Sequence, residues 1–434
     1  MLNIRIRHLI ATLLAVFALA AAVWSPAHAS DPVTVKVRVQ DQTEVNGKAK
    51  KAPVPGVTVN LLDASGAQIA TGVTDDKGII EFPLPDRADY TVVLVESTLP
   101  EGKALSAQTP AERSIHGDDF RTPTVTINYF TGEAQRATKS FMGRLAQRMV
   151  DGARLGLIIA MCSVGLSLIF GTTGLTNFAH GELVTLGGMV AFWVNVTMGL
   201  SFWIAGPAAV IAGGAFGYLL DLGLFAPLRR RGIGLVSQLV VSVGLSIMLR
   251  NFFLYKFGGR TLRLTAFNDQ KNLTFGPVGI TPRDLSTAIV SLVVLVFVAL
   301  ALQRTRMGKA TRAVSDNPDL AASTGIDSQK IIRIVWILGG LLAAMGGVFR
   351  ALDEGVSPDL GADLLFLMFA GITLGGLGSA FGALVGGFIV GLFVEVSTMF
   401  GVPSELKKVP ALLVLVFILL VRPQGILGRR ERVG

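Results

Sequence analysis

Charged side chains are scarce in this 434-residue chain, where Asp, Glu, Lys and Arg make up 16% of the residues. Ordinary soluble domains carry about 25%. Hydrophobic residues make up 51%, and the mean hydropathy is +0.58. This composition excludes a wholly soluble enzyme and indicates a membrane protein.

Cysteine and histidine are also scarce, with one Cys and four His. Cys162 lies in an apolar run, so neither a disulfide framework nor a thiolate metal site is available. The histidines are scattered, and no Ser/His or Asp/Asp pair suggests a protease. The chain also lacks the Gly-x-x-x-x-Gly-Lys-Ser/Thr phosphate loop. We therefore predict a protein that is not an enzyme, hydrolyses no ATP by itself, and uses no metal or cofactor.

The N-terminus has the order of a secretory signal. Arg5 and Arg7 precede an apolar stretch over 9–23, and Ala27-His28-Ala29 suits signal peptidase. We predict a signal peptide over residues 1–29. The alternative is an uncleaved anchor helix, although this stretch is short for a hydrocarbon layer of roughly 30 Å. Both readings place the next domain outside the cytoplasm.

Residues 30–130 alternate apolar and polar side chains with a period of two, as in Val33–Val39 and Val57–Leu61. Turn signals separate these runs, so we predict an extracytoplasmic all-β sandwich over 30–130. The order of Pro55-Gly56, Thr74-Asp75 and Tyr90 resembles the carboxypeptidase-regulatory-like sandwich, which implies no chemistry of its own.

Asp75-Asp76-Lys77-Gly78 is most simply a turn at a strand end. A calcium site at Asp75 and Asp76 is the weaker alternative, because two adjacent carboxylates fall short of the six to eight oxygens that calcium prefers.

Residues 131–149 are polar and basic, and we predict a linker there. Apolar runs of about bilayer-spanning length follow, and glycines divide the longest of them, 363–400, into two helices. We predict a membrane all-α helical bundle of eight to nine transmembrane helices over 150–425 and a cytoplasmic tail over 426–434. The runs lie at 152–170, 182–199, 202–226, 235–257, 285–303, 331–349, 363–378, 381–398 and 409–421.

Basic residues in the connectors set the expected orientation. Nine crossings place Arg229-Arg230-Arg231, the basic segment 304–333 and the C-terminus in the cytoplasm, as the positive-inside rule expects. The loop 258–283 carries four basic residues on the outer side and does not fit this rule. Because the Lys and Arg lie in such connectors, we expect contacts with membrane lipid and not with nucleic acid.

Two polar segments interrupt the apolar pattern. The segment 171–182 contains Asn177, His180 and Glu182, which are costly in hydrocarbon and normally face a cavity or a partner helix. The alternative is a cytoplasmic turn in which Asn177 or Thr176 caps the next helix. In the segment 304–326, Asn317 can cap a short helix that Gly325 ends, and such a helix suits a groove of a soluble partner.

Five motifs in this part of the chain resemble the permease of branched-chain amino-acid ABC importers. They occur in the family order and span about residues 150–430. They are Asn177-Phe178-Ala179-His180-Gly181-Glu182, Arg306-Met307-Gly308-Lys309-Ala310, Leu320-Ala321-Ala322-Ser323-Thr324-Gly325-Ile326, Leu374-Gly375-Gly376-Leu377-Gly378-Ser379 and Pro423-Gln424-Gly425-Ile426-Leu427-Gly428-Arg429. The N-terminal sandwich departs from the family pattern.

The resemblance implies a bacterial inner-membrane subunit that works with a second permease subunit, two cytoplasmic ATP-binding subunits and an extracytoplasmic solute-binding protein. The solute would be a branched-chain or related apolar amino acid; urea or a short amide is the close alternative, and a stand-alone channel or carrier is a more distant one. By motif, the ATPase-coupling helix would contain Asp319, Leu320, Ala321, Ala322, Gly325 and Ile326. The translocation path would lie near Asn177, His180, Glu182, Gly375, Gly376, Gly378 and Ser379.

Overall fold

The computed structural model describes residues 33–45, 48–85, 88–106, 109–116, 124–131, 140–267, 270, 272–403, 406–421 and 425. These residues form two compact units, one ending at Ser140 and the other beginning at Phe141. The predicted signal peptide and cytoplasmic tail lie outside the described residues, as do residues 132–139 of the predicted linker.

The first unit is a β-sandwich. Its strands are β1 Val33–Val45, β2 Lys48–Pro53, β3 Thr58–Asp63, β4 Gln68–Val73, β5 Ile79–Leu84, β6 Tyr90–Leu94, β7 Glu112–Ile115 and β8 Thr124–Thr131. One sheet has the order β2-β1-β5, with β8 pairing in parallel with β1, and the other has the order β4-β3-β6-β7. Alternate residues of β1, from Val33 to Val39, are fully buried and share a core with Val59, Leu61 and Val92 of the other sheet. The alternation predicted from the sequence is therefore the inward face of a sandwich.

The predicted turn lies between β4 and β5. The Asp75 carboxylate accepts hydrogen bonds from the backbone N–H groups of Lys77 and Ile79, at 2.9 and 2.7 Å. Gly78 has a φ of +68°, and a Cβ there would overlap the carbonyl oxygen of Val39. The carboxylate thus organises the turn through local hydrogen bonds.

The second unit is mostly helical, with one small hairpin of β9 Leu273–Phe275 and β10 Val278–Ile280. Its helices are α1 Phe141–Thr173, α2 His180–Phe192, α3 Phe202–Leu220, α4 Ala226–Arg230, α5 Leu235–Phe257, α6 Pro282–Arg304, α7 Arg306–Asp316, α8 Pro318–Ser323, α9 Ser328–Glu354, α10 Leu360–Gly375, α11 Ala380–Ser397 and α12 Val409–Val421. Because α1 begins at Phe141, residues 141–149 are helical, and the prediction of a linker up to residue 149 is wrong there.

Among the described residues, six helices are long and apolar enough to cross a membrane by length and composition. They are Phe141–Thr173, Phe202–Arg230, Leu235–Phe257, Pro282–Arg304, Ser328–Glu354 and Ala380–Phe400, and α10 and α12 are shorter apolar helices. A mostly helical membrane unit preceded by a β domain is therefore confirmed. The count of eight to nine crossings stays a prediction.

Glycines allow the helices to approach closely. On one face of α11, Gly382 lies against Gly375 of α10, and on another Gly391 lies against Gly156 of α1. A Cβ on Gly375 or Gly391 would overlap backbone atoms of the neighbouring helix. The four-residue spacing of small residues seen in the sequence is thus a packing device, as it is between helices in lipid.

The helical unit contains an inverted repeat. Helices α1 and α9 are antiparallel, with Gly165 against Gly339 and Gly346 against Ile158. Each ends at a glycine with positive φ, Gly174 or Gly355, whose N–H bonds to the carbonyl four residues earlier. A buried aliphatic residue and a Ser or Thr follow each of these two glycines, and then a short helix begins, α2 or α10. The glycine, the aliphatic residue and the Ser or Thr recur at one spacing, and the short helix begins one residue earlier in the second copy. Helix α3 is also antiparallel to α9, and α11 to α1, so the triples α1–α2–α3 and α9–α10–α11 run in opposite directions.

Candidate functional site

The polar segment after α1 turns back into the protein. It begins at Gly174, and His180 Nε2 lies 3.2 Å from the carbonyl oxygen of Cys162, which is well inside α1. Asn177 and His180 are fully buried, and Asn177 Oδ1 accepts a hydrogen bond of 3.1 Å from the Ala179 N–H. Leu175, Asn177 and Ala179 of this segment are therefore buried between helices, whereas Gly174 is exposed.

Two nitrogens of this segment have no partner among the described residues, namely Asn177 Nδ2 and His180 Nδ1. A carbonyl oxygen only accepts, so the His180 ring carries its hydrogen on Nε2 and leaves Nδ1 as an acceptor. A buried polar atom without a partner costs roughly 1–3 kcal/mol. Such atoms are unusual in a merely structural turn.

Glu182 lies in the first turn of α2 and is 1% exposed. Its Oε1 accepts a hydrogen bond of 3.0 Å from the hydroxyl of Ser246 on α5. One turn further along α2, the hydroxyl of Thr185 accepts a hydrogen bond from the N–H of Gly361 in α10. Gly361 also lies against Gly181, so the starts of α2 and α10, which are equivalent in the inverted repeat, meet inside the helical unit.

The second predicted path segment lies elsewhere. Gly375 and Gly376 are buried at the end of α10, and the Ser379 hydroxyl caps α11 by accepting from the Gly382 N–H at 3.0 Å. Gly378 lies against Gly171, which is about 13 Å further along α1 than Cys162. The structure thus does not bring this segment into contact with the segment around His180.

The predicted coupling helix is α8, Pro318–Ser323. Asn317 Oδ1 accepts hydrogen bonds from the N–H groups of Asp319 and Leu320, at 3.1 and 2.9 Å, and Gly325 has a φ of +86° after the helix. The Leu320 side chain is 63% exposed, whereas Ala321 is 4% exposed and packs on the helical core. Leu320 therefore presents an apolar side chain outward. Of the other predicted coupling residues, Asp319, Ala322 and Gly325 are exposed and Ile326 is partly buried.

A network of ion pairs lies at the opposite end of the helices. Arg154 of α1 contacts Asp353 of α9 through two hydrogen bonds of 2.9 and 2.8 Å and Asp284 of α6 through one of 2.6 Å. Arg283 donates to Asp284 and to the carbonyl of Leu352. The positive charge of Arg283, which did not fit the expected orientation of its loop, is therefore paired.

An ion pair that no sequence pattern predicted lies on the surface, between Arg250 of α5 and Asp359 at the start of α10. Both side chains are about half exposed, at 52 and 53%. The two residues are far apart in the chain and belong to no common motif. The tripeptides Gly174-Leu175-Thr176 and Gly355-Val356-Ser357 have the same order of residue types. This similarity indicates the repeat, and Asp359 lies in its second copy.

Comparison with known proteins gives the family. Residues 148–419 match the permease component of branched-chain amino acid transport systems. The chain is 31% identical over 301 residues to LivH of Salmonella typhimurium, a high-affinity branched-chain amino acid transport system permease protein, and the match covers 66% of this chain and 96% of LivH. The chain belongs to this permease family.

Two further relatives bear the same description as transport system permease proteins. The permease is 31% identical over 301 residues to BraD of Pseudomonas aeruginosa, and this match covers 66% of this chain and 96% of BraD. It is 27% identical over 305 residues to LivM of Escherichia coli, and this match covers 64% of this chain and 69% of LivM. The family match begins after the β-sandwich, so the sandwich is an addition to the shared permease unit.

Proposed function

We propose that this permease is the membrane-spanning subunit of an ATP-driven ABC importer for branched-chain or related apolar amino acids. The family match over residues 148–419 carries the proposal, since its members are named for this transport. The inverted repeat supports it, because many transporters are built from two halves of opposite topology. The subunit contributes helices and no covalent chemistry; two cytoplasmic ATP-binding subunits hydrolyse ATP, and an external binding protein delivers the solute.

The partner within the membrane is a second permease subunit. The relatives of this chain include both LivH and LivM of Escherichia coli, and each is named as a permease protein of a high-affinity branched-chain amino acid transport system. A pair of permeases would enclose the translocation path between them.

The orientation follows from the charges. With nine crossings, α7 and α8 and the C-terminus lie in the cytoplasm, and the β-sandwich and the Arg154 ion-pair network lie outside. The exposed basic side chains Arg306, Lys309 and Arg312 of α7 support this placement. In this orientation the protein is a multi-pass bacterial inner-membrane protein with an extracytoplasmic N-terminal domain.

Helix α8 is the contact with the ATPase. It is short, capped at both ends and exposed, and Leu320 offers an apolar side chain that fits a groove of a soluble partner. The helix packs on the bundle through Ala321. A movement of the ATPase subunits would therefore reach the bundle and shift it between outward-open and inward-open states.

The path is lined near Asn177, His180 and Glu182, with Gly375, Gly376, Gly378 and Ser379 at its cytoplasmic end. The buried nitrogens of Asn177 and His180 support this assignment, since they are free to bind water or solute. The two segments lie at different depths along α1, as successive parts of one path would.

The test is copurification of the importer from membranes. Leu320→Asp places a charge in the ATPase contact, so we expect the permease to remain in the membrane but to lose its ATP-binding subunits. Leu273→Asp on the β9–β10 hairpin is the matched control, because Leu273 is also exposed but lies outside in the proposed orientation. Normal recovery of the ATPase with Leu320→Asp would refute the assignment of α8.

The solute is tested with the same purified importer in liposomes. Leucine should stimulate ATP hydrolysis and be taken up, and urea should do neither. Uptake of urea instead would show that the protein belongs to an importer of urea or short amides. Solute flux through the permease alone, without ATP, would refute an importer.

A further inference from the structure

The helical unit has two kinds of exposed face. The outer face of α6 is entirely apolar between Ile289 and Leu300, with exposed side chains that include Val293 and Phe297. Such a face suits lipid. The face formed by α5 and the first turns of α10 is different, because the half-exposed pair Arg250–Asp359 lies on it.

The position of this pair argues against contact with lipid. Arg250 lies inside the apolar span Leu235–Phe257, seven residues or about 10 Å before its end. Charged groups at such a depth are costly in hydrocarbon and normally face a water-filled cavity or a protein partner. Instead of reaching along α5 toward the membrane surface, the guanidinium pairs with Asp359, where the chain re-enters the bundle before α10.

Polar groups continue inward from the pair. Ser246, one turn before Arg250 on α5, donates its hydroxyl hydrogen bond to the buried Glu182. One turn after Asp359 on α10, Asp363 is exposed and pairs with Lys408 at 2.8 Å. The region therefore offers charges of both signs at the surface and a carboxylate beneath them.

We propose that Arg250 and Asp359 bind the charged head of a zwitterionic amino acid on its way through the importer. The guanidinium of Arg250 receives the solute carboxylate, and the Asp359 carboxylate receives the solute ammonium. In the solute-free permease the two side chains neutralise each other, and the solute inserts between them. This inference rests on the proposed function, and it places the α5–α10 face on the water-filled path that the second permease closes.

Cysteine labelling tests whether this face is wet. Ile247→Cys lies one turn before Arg250 and is exposed, and Val293→Cys on α6 is its equally exposed control. The natural Cys162 is fully buried, so the unaltered chain serves as the background. In the assembled importer, a hydrophilic methanethiosulfonate should label Ile247→Cys at least about tenfold faster than Val293→Cys, since the reaction needs the thiolate in water. Equal rates would overturn the proposal.

Uptake and protection by leucine test the site itself. Arg250→Gln and Asp359→Asn should each lower leucine uptake by about ten- to hundredfold, the loss expected for one charge-assisted hydrogen bond. Lys256→Gln removes a positive charge from the last turn of the same helix and should transport normally. Leucine should slow the labelling of Ile247→Cys, and this protection should vanish when Arg250→Gln is added.

The outcomes separate the two proposals. A permease that recovers no ATP-binding subunits refutes the importer function. An assembled importer that takes up leucine equally well with Arg250→Gln, Asp359→Asn and Lys256→Gln refutes only the zwitterion site. Protection by leucine that persists in Arg250→Gln refutes it as well.

Discussion

Thr185 and Gly361 are joined by a hydrogen bond of 3.0 Å in which the Gly361 N–H donates to the Thr185 hydroxyl. The bond connects the second turn of α2 to the first turn of α10, and each of these helices follows a long helix that ends at a glycine with positive φ. Gly361 also lies against the carbonyl oxygen of Gly181, so the two helices cross backbone to backbone. This crossing joins the two halves of the inverted repeat at their centre.

We expect Thr185→Val to destabilise the helical unit by about 1–3 kcal/mol, because the buried Gly361 N–H would lose its acceptor. The free energy of unfolding in SDS titration of detergent-solubilised protein measures this loss. Thr398→Val is the matched control, because the Thr398 hydroxyl donates to the carbonyl oxygen of Glu395 in the same chain segment and joins no second helix. A Thr185→Val protein no less stable than the control would show that the hydrogen bond contributes little.

We expect Gly347→Ala to destabilise the bundle by about 1–3 kcal/mol, because its Cβ would overlap the carbonyl oxygen of Val184 in the neighbouring helix. Gly244→Ala is the control: it lies inside α5, and a Cβ there meets nothing within 4 Å. The control should be neutral or more stable by roughly 0.5–1 kcal/mol through helix propensity. Unfolding in SDS compares the two variants, and the same sign of change in both would contradict the packing explanation.

Local signals predicted much of the fold. The period of two in Val33–Val39 gave the buried face of β1, and Asn317, Pro318 and Gly325 gave the bounds of α8, because caps and turns act within a few residues. Asp75 and Gly78 predicted their turn for the same reason. The linker was placed too far along the chain because the first turns of α1 are polar, and Gln147 is bonded there to Gly279 of the β9–β10 hairpin.

The site depends on contacts that no local pattern reports. His180 was identified as costly in hydrocarbon, but its bond to Cys162 follows from how the segment folds back along α1. The exposure of Leu320 and the burial of Ala321 depend on how α8 packs on the bundle. The pair Arg250–Asp359 joins two spans whose sequence patterns are independent, so only the packing of α5 beside α10 brings the charges together.

Tyr129 gives the β-sandwich a dependence on alkaline pH. Its hydroxyl donates to the carbonyl oxygens of Val92 and Ala111, at 2.9 and 3.1 Å, and burial raises the pKa of the Tyr129 phenol above its usual value near 10. The phenol is therefore neutral in the folded state and ionises more easily in the unfolded state. Its contribution to stability is complete below pH 10 and falls as the pH rises above that value.

We expect hydrogen exchange in β6 and β8 of the intact permease to accelerate above pH 10 by more than the intrinsic base catalysis of exchange. Tyr129→Phe should lose this extra acceleration, although its sandwich is less stable at neutral pH by about 1 kcal/mol for the missing hydrogen bonds. Mass spectrometry of the strand peptides gives both measurements. An identical pH dependence in the two proteins would assign the alkaline sensitivity to another group.

The ion-pair network around Asp353 allows a comparison of two adjacent carboxylates. Asp353 is 17% exposed and receives two hydrogen bonds from Arg154, whereas Glu354 is 50% exposed and contacts only Arg350 among its charged neighbours in the described residues. We expect Asp353→Asn to lower the free energy of unfolding by about 1–3 kcal/mol, because the mostly buried guanidinium groups of Arg154 and Arg350 lose one charged acceptor while each keeps another carboxylate partner. Glu354→Gln should lower the free energy of unfolding by about 1 kcal/mol or less, as the loss of an exposed ion pair does.

Unfolding in SDS at two salt concentrations measures the effect of both substitutions. The loss of stability in Glu354→Gln should shrink in high salt, and the loss in Asp353→Asn should remain. Equal losses for the two variants would mean that the network is held by the helix packing around it and not by the Asp353 carboxylate.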